Sequence, residues 1–148
     1  MGFLQLLQLL ISNRSMRRII GFGSSGLARY LPKLHQYYST TMRAIFENHP
    51  ELQQLFLNSV FPAATWNLGP GIVMAGHIDE LNLPHGVCPV TSAGKYNYKK
   101  GGHLYLKQLK VVIEYPSGST SLIMSAAVDH GNTPIQKDET QCDGYIFA

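Results

Sequence analysis

The chain has 148 residues, 45% of them apolar and 14% charged, with a net charge of +3. That is enough for one globular domain with a buried core, and it excludes an intrinsically disordered chain. No apolar run reaches the roughly 18 residues of a membrane-spanning helix, so no membrane partner is expected. The charge is uneven. Residues 1–46 hold Arg14, Arg17, Arg18, Arg29, Lys33 and Arg43 with no acid, whereas the remainder holds six basic and nine acidic residues. A basic N-terminal part suits a polyanion partner, and a solvated helix face is the plainer reading of the same charges. Cys88 and Cys142 are the only cysteines and form no metal-binding spacing, which fits a reduced, intracellular protein.

In chain order, Phe3 to Ile11 reads as a short apolar helix. It lacks the basic lead and the small-residue cleavage site of a secretory signal. The first 46 residues share the acid-poor, arginine-bearing composition of a transit peptide, but residues 20–46 pattern as part of the folded body. Gly21-Phe22-Gly23-Ser24-Ser25-Gly26 matches the spacing of a dinucleotide fingerprint without the strand that should precede it. It reads instead as a turn, with Ser24 or Ser25 capping the next helix.

From Gly26 to Glu47 the spacing of Leu27, Tyr30, Leu31, Leu34, Tyr37 and Tyr38 predicts a helix with those residues as its core side. Pro32 marks either a kink or the true first turn. Pro50 to Leu57 reads as a further short helix with Leu52, Leu55 and Phe56 inward.

After Asn58 the pattern changes to short strands: Val60–Trp66, Ile72–Ala75, Val87–Thr91, His103–Leu106, Lys110–Tyr115 and Ser119–Ala126. Gly- and Pro-rich turns separate them, among them Tyr115-Pro116-Ser117-Gly118 as a type I turn. Helices followed by a series of strands predict an α+β fold, with the helices packed on one face of a sandwich or barrel.

One stretch carries chemistry. If His77-Ile78-Asp79 is extended, the imidazole and the carboxylate share one face. His130 lies past the strand Ser119–Ala126 and can reach the same end of a double-sheet fold. Two histidines and one carboxylate suit iron(II) with open positions, and the ligand types alone also admit zinc. A zinc hydrolase on this set would lack an obvious general base.

Asn82 and Asn67 read either as ligand contacts or as turn caps, His103 and His85 as surface residues, and Cys88 and Trp66 as core. Ser92-Ala93-Gly94-Lys95 matches a nucleophile–lysine spacing without its partner motifs.

Several motifs in order carry a resemblance. They are Asn58-Ser59-Val60-Phe61-Pro62-Ala63-Ala64-Thr65, Asn67-Leu68-Gly69-Pro70, and His77-Ile78-Asp79 with Asn82-Leu83-Pro84 and Gly86. Further on come Lys99-Lys100-Gly101-Gly102-His103-Leu104, Val112 to Thr120, and His130-Gly131-Asn132-Thr133-Pro134-Ile135. Over roughly residues 20–141 the chain resembles the fungal, transposon-associated branch of the TET/JBP dioxygenases.

The resemblance implies a double-stranded β-helix (jelly-roll) core, with His77, Asp79 and His130 as ligands of Fe(2+) and with 2-oxoglutarate as co-substrate. It implies oxidation of the methyl group of a DNA pyrimidine, 5-methylcytosine or thymine. A DNA substrate would place the protein in the nucleus, and Lys95, Lys99 and Lys100 would be candidates for phosphate contacts.

The expected organisation is a single dioxygenase-like domain over 1–148. Within it, 1–19 form a helical extension, 20–57 helical support and 58–148 the β core, with a last strand cut short. The chain departs from the family pattern where the arginine that binds the far carboxylate of 2-oxoglutarate should stand. That position is Gln141, with Lys137 as the nearby substitute. The alternative is therefore a catalytically inactive paralogue that keeps the fold and acts by binding nucleic acid or protein.

Overall fold

The computed structural model describes residues 2–69 and 71–145, by backbone alone at residue 3 and from 141 onward. It divides into two compact units, meeting in sequence between Ala63 and Ala64. Among the described residues no helix is long and apolar enough to cross a membrane.

The first unit is helical: α1 (Phe3–Ser12), α2 (Arg14–Tyr30) and α3 (Pro32–Asn48). Asn13 separates α1 from α2. Its Oδ1 accepts from the backbone N–H groups of Ser15 and Met16, at 2.9 and 3.2 Å, so Asn13 is the N-cap of α2.

The turn expected at Gly21–Gly26 is instead the middle of α2, and neither Ser24 nor Ser25 caps a helix. The cost of three glycines in a helix is outweighed by what their small size admits. A Cβ at Gly21 would run into the Asn58 side chain, whose amide donates to Arg17 O at 2.9 Å. Ser24 Oγ accepts from the Val60 N–H at 3.2 Å. The run of small residues is therefore a landing strip for the 56–61 segment.

Pro32 takes the first position of α3, and Leu31 is the break before it. That break resets the helical phase, so the single stripe read across it does not form. Leu27 and Tyr38 are buried, while Tyr30, Leu31 and Tyr37 are exposed. No helix forms over 50–57. Leu52 and Leu55 are exposed, and Phe56 alone of the three is buried, because so short a segment does not offset the cost of helix nucleation. The core of this unit is Ile20, Leu27, Tyr38, Phe56 and Phe61, with the Tyr38 and Phe61 rings edge-on at 5.7 Å.

Among the described residues the second unit holds seven strands: β1 (Thr65–Asn67), β2 (Cys88–Lys95), β3 (Leu104–Leu106), β4 (Val111–Ile113), β5 (Thr120–Ile123), β6 (His130–Asn132) and β7 (Thr140–Tyr145). They form two antiparallel sheets, ordered β1-β7-β2-β5 and β4-β3-β6. The chain is thus α+β as expected, and the described strands make two separate sheets. The core is Val90, Leu104, Leu106, Tyr115 and Ile123, flanked by Ile113 and Val128.

The strands differ from expectation where local composition was a poor guide. Val60–Trp66 contributes only the start of β1. Ile72–Ala75 is extended but not a strand: Met74 N–H donates to Asn132 Oδ1 at 2.5 Å, and Asn132 Nδ2 donates to Ile72 O at 2.7 Å. The Asn132 side chain supplements a single backbone bond there, Asn132 N–H to Met74 O at 3.2 Å. β6 and β7 carry few β-formers and arise from pairing with neighbours. The turn after Tyr115 is shifted by one residue, since Ser119 N–H donates to Pro116 O at 2.9 Å. Gly118 then falls third in the turn at φ 88°, a type II position.

Candidate metal centre

His77 and His130 face each other across an isolated antiparallel bridge. Each backbone donates to the other, His77 N–H to His130 O at 3.1 Å and His130 N–H to His77 O at 2.9 Å. Residues directly opposite in such a pair project to the same face, and the two rings lie 4.5 Å apart. Asp79, two residues after His77, points the same way. Its backbone N–H donates to Ser125 O at 2.9 Å, which ties the His77–Asp79 segment to the chain just after β5.

The three side chains converge. His77 Nε2 lies 3.5 Å from Asp79 Oδ1, and His130 Nε2 lies 3.9 Å from Asp79 Oδ2. One ligand atom from each residue fits within 4.8 Å of the others. His130 is fully buried, while the side chains of Asp79 and His77 keep 12% and 30% exposure, so the set opens to solvent on the His77 side.

Both imidazoles are oriented in the same manner. His77 Nδ1 contacts Ala75 O at 2.9 Å, and His130 Nδ1 contacts Val128 O at 2.9 Å. A carbonyl only accepts, so Nδ1 carries the proton in both rings, and neutral rings then turn Nε2 lone pairs toward the carboxylate. This is the arrangement that backbone carbonyls impose on metal-binding histidines.

The separations of 3.5 and 3.9 Å exceed those of charge-assisted hydrogen bonds, about 2.7–2.9 Å. They fit two ligands sharing an ion at about 2.0–2.2 Å each. The donor set therefore fits one divalent cation.

Asn82 orients the carboxylate. Its Nδ2 donates to Asp79 Oδ2 at 3.2 Å and to Ser125 Oγ at 2.8 Å, and its N–H closes a turn on Asp79 O at 2.9 Å. Asn82 closes a turn through its backbone, while its side chain bonds Asp79 and Ser125. Ser125 escaped sequence reasoning altogether. The only trace of either was an Asn three residues after the Asp, a turn-closing spacing.

Among the described side chains, the candidate lysines are not drawn into this cluster. Lys95 ends β2 opposite Thr140, and Lys99 and Lys100 follow in a turn. All three are exposed, as is Lys137 in the turn Gln136–Glu139. The β3–β6 register puts Lys99 and Lys100 toward the Asn132 end of β6, with His130 at the other.

Gln141 pairs with Gly94 on β7, and its side chain lies outside the described residues, as does that of Cys142. His85 is exposed and Cys88 buried. His103 is half-buried rather than on an open strand face, because its N–H donates to Thr133 Oγ1 at 3.0 Å and draws it against the 133–135 segment. Asn67 and Trp66 sit half-buried on β1.

No protein-family model matches the chain, and no curated protein does. Solved structures do. The structure of NgTET1 in complex with 5mC DNA superposes with a TM-score of 0.54 at 16% identity, over 82% of this chain and 53% of that one. The chain thus shares a fold with NgTET1 and spans about half the length of the NgTET1 chain. A collagen prolyl hydroxylase of Paramecium Bursaria Chlorella virus-1, in its 2OG complex, aligns at a TM-score of 0.37 and 11% identity, over 72% of this chain and 68% of that one.

Proposed function

We propose that this chain is an iron(II)- and 2-oxoglutarate-dependent oxygenase of the TET/JBP kind, acting on the methyl group of a DNA pyrimidine, with His77, Asp79 and His130 holding the metal. The observation that carries the reading is the convergence of these three side chains, 51 or more residues apart for two of the pairs, on a TET-like fold. The residue motifs from Asn58 to Ile135 add the fungal, transposon-associated branch to the same proposal. Both units together, 1–148, are read as one dioxygenase-like domain, and a DNA substrate would put it in the nucleus.

Iron(II) held by His77, Asp79 and His130 would, with 2-oxoglutarate as reductant and dioxygen as oxidant, supply the chemistry that removes hydrogen from a methyl group. The chain's own residues do the rest. Asp79 contributes the negative charge, and the two Nδ1 contacts to Ala75 O and Val128 O hold the imidazoles in register. Asn82 and Ser125 keep the carboxylate in the rotamer that reaches both rings. Burial of His130 keeps one side of the set dry. A base inside duplex DNA would have to be flipped to reach such a site.

Outer partners of metal ligands are worth about 10- to 100-fold in affinity. Asn82→Ala should weaken cobalt(II) or iron(II) binding by that factor, and should also cost about 1–3 kcal/mol of metal-free stability because the buried Ser125 Oγ loses its partner. Metal titration by absorption spectroscopy checks it.

A second reading has its own observation. Gln141 stands where the family places the arginine that grips the co-substrate, which favours a protein that keeps the fold and the metal but not turnover. An arginine fork adds charge-assisted bonds of roughly 1.5–3 kcal/mol each.

The deciding experiment is an anaerobic titration with iron(II) and 2-oxoglutarate, reading the visible charge-transfer band of the chelated co-substrate. Gln141→Arg should tighten 2-oxoglutarate by about tenfold to a hundredfold. A band in the wild-type chain supports the oxygenase and justifies an assay on methylated DNA. A band only in Gln141→Arg supports the inactive paralogue. No band in either overturns the site.

A further inference from the structure

The exposed face of α2 has a composition that the metal centre does not use. Arg14, Arg18, Phe22, Ser25 and Arg29 are all exposed. Successive residues turn by 100° in an α-helix, so these five fall within about 80° of arc. The buried residues of the same helix, Ile20, Gly23, Ser24 and Leu27, lie on the opposite side. Three guanidiniums and one aromatic ring thus share a single stripe, roughly 22 Å long at 1.5 Å rise per residue.

Nothing in the helix neutralises the stripe. Residues 1–46 contain no acid, and no ion pair among the described residues involves Arg14, Arg18 or Arg29. Phe22 keeps 62% of its surface exposed, in the middle of the stripe. A phenylalanine ring flanked by guanidiniums gains nothing from a duplex, whose base faces are hidden. A single strand offers phosphates to the arginines and a base face to the ring. A lipid surface would want a broad apolar face along the helix, whereas this stripe has one apolar side chain among three charges.

We infer that the exposed face of α2 is a docking surface for single-stranded nucleic acid, with Arg14, Arg18 and Arg29 on the phosphates and Phe22 stacked on a base. The surface lies wholly within the helical unit and does not require the metal site to be functional.

The test is equilibrium binding of a fluorescein-labelled oligonucleotide, single-stranded and duplex, to the full chain across a salt series in EDTA. The variants are Arg14→Gln/Arg18→Gln/Arg29→Gln, the same three positions changed to Lys, and Phe22→Ala. The Gln variant should lower the slope of log affinity against log salt by about 2 on the single strand, at about 0.7 per contact, and the Lys variant should restore it.

Phe22→Ala should weaken single-strand binding roughly five- to a hundredfold and leave duplex binding within about twofold. A salt slope unchanged in the Gln variant overturns the proposal. So does equal loss on duplex and single strand in Phe22→Ala. Binding to phosphatidylserine vesicles that depends on the same residues, with none to the oligonucleotide, also overturns it and assigns the face to a membrane. The assay is run in EDTA, so failure of the metal centre and failure of this surface are read separately.

Discussion

His130→Ala should lose divalent-metal affinity by more than a hundredfold. An isolated bridge sets His130 opposite His77, and the two rings share the Asp79 carboxylate at 3.5 and 3.9 Å. Removing an outer partner of a ligand costs about 10- to 100-fold, and removing one of three ligands must cost more. The readout need not be activity. A metal that binds only the folded chain stabilises it by about 2.7 kcal/mol at a hundred times its dissociation constant, so the wild-type melting temperature should rise with added cobalt(II) and fall back with a chelator.

His130→Ala should show no such rise. Because His130 is fully buried, its loss also leaves a cavity and lowers the metal-free melting temperature. Asp79→Asn separates the two effects. It keeps the shape and the contact to Asn82, removes the charge, and should abolish the metal-dependent rise at nearly unchanged metal-free stability. A metal-dependent rise that survives both substitutions would place the cation elsewhere.

Gly131→Ala should be a strongly destabilising single methyl in the β unit. Gly131 lies between His130 and Asn132 on β6, opposite Tyr105 on β3. A Cβ there would sit 2.5 Å from Met74 O, and closer still to Tyr105 Oη. Neither can easily yield. Tyr105 carries a rigid ring, and Met74 O is backbone that already accepts the Asn132 N–H at 3.2 Å.

Overpacking of this kind costs roughly 1–3 kcal/mol, which in a unit of this size is a fall of about 5–20 °C in melting temperature. The strain falls on the 72–76 segment that leads into His77, so metal affinity should fall with stability. Gly118→Ala is the contrast. A Cβ there meets nothing within 4 Å, and the cost is only that of a left-handed φ of 88°, about 1–2 kcal/mol, with metal affinity unchanged. Thermal melts with and without metal on both variants test the pair.

The positions of these residues decide how much of the protein can be read without coordinates. The α+β class followed from helical spacing before Asn58 and short β-rich runs after it. His77 and Asp79 were legible as a pair because extended backbone repeats every two residues. Pro32 was legible as either a kink or a first helical turn because its ring fixes φ and lacks a donor, and it is the first turn of α3.

The misreadings share one physical cause, which is that a long-range contact overrode a local preference. Gly21–Gly26 reads as a turn on propensity, yet it is helix because Asn58 and Val60 dock on its small residues. β6 and β7 are poor strand formers that become strands because β3, β1 and β2 pair with them. Ile72–Ala75 looks like a strand but is tied to β6 through Asn132, by two side-chain bonds and one backbone bond.

The candidate site divides the same way. The sequence by itself determined the donor types, two imidazoles and a carboxylate, because side-chain chemistry is local. Only the tertiary structure decided that His130 faces His77, that the carbonyls of Ala75 and Val128 fix both tautomers, and that Asn82 and Ser125 hold Asp79 between them. Those contacts join residues up to 53 positions apart, and register between distant strands is set by packing and hydrogen bonding that no local window of sequence contains.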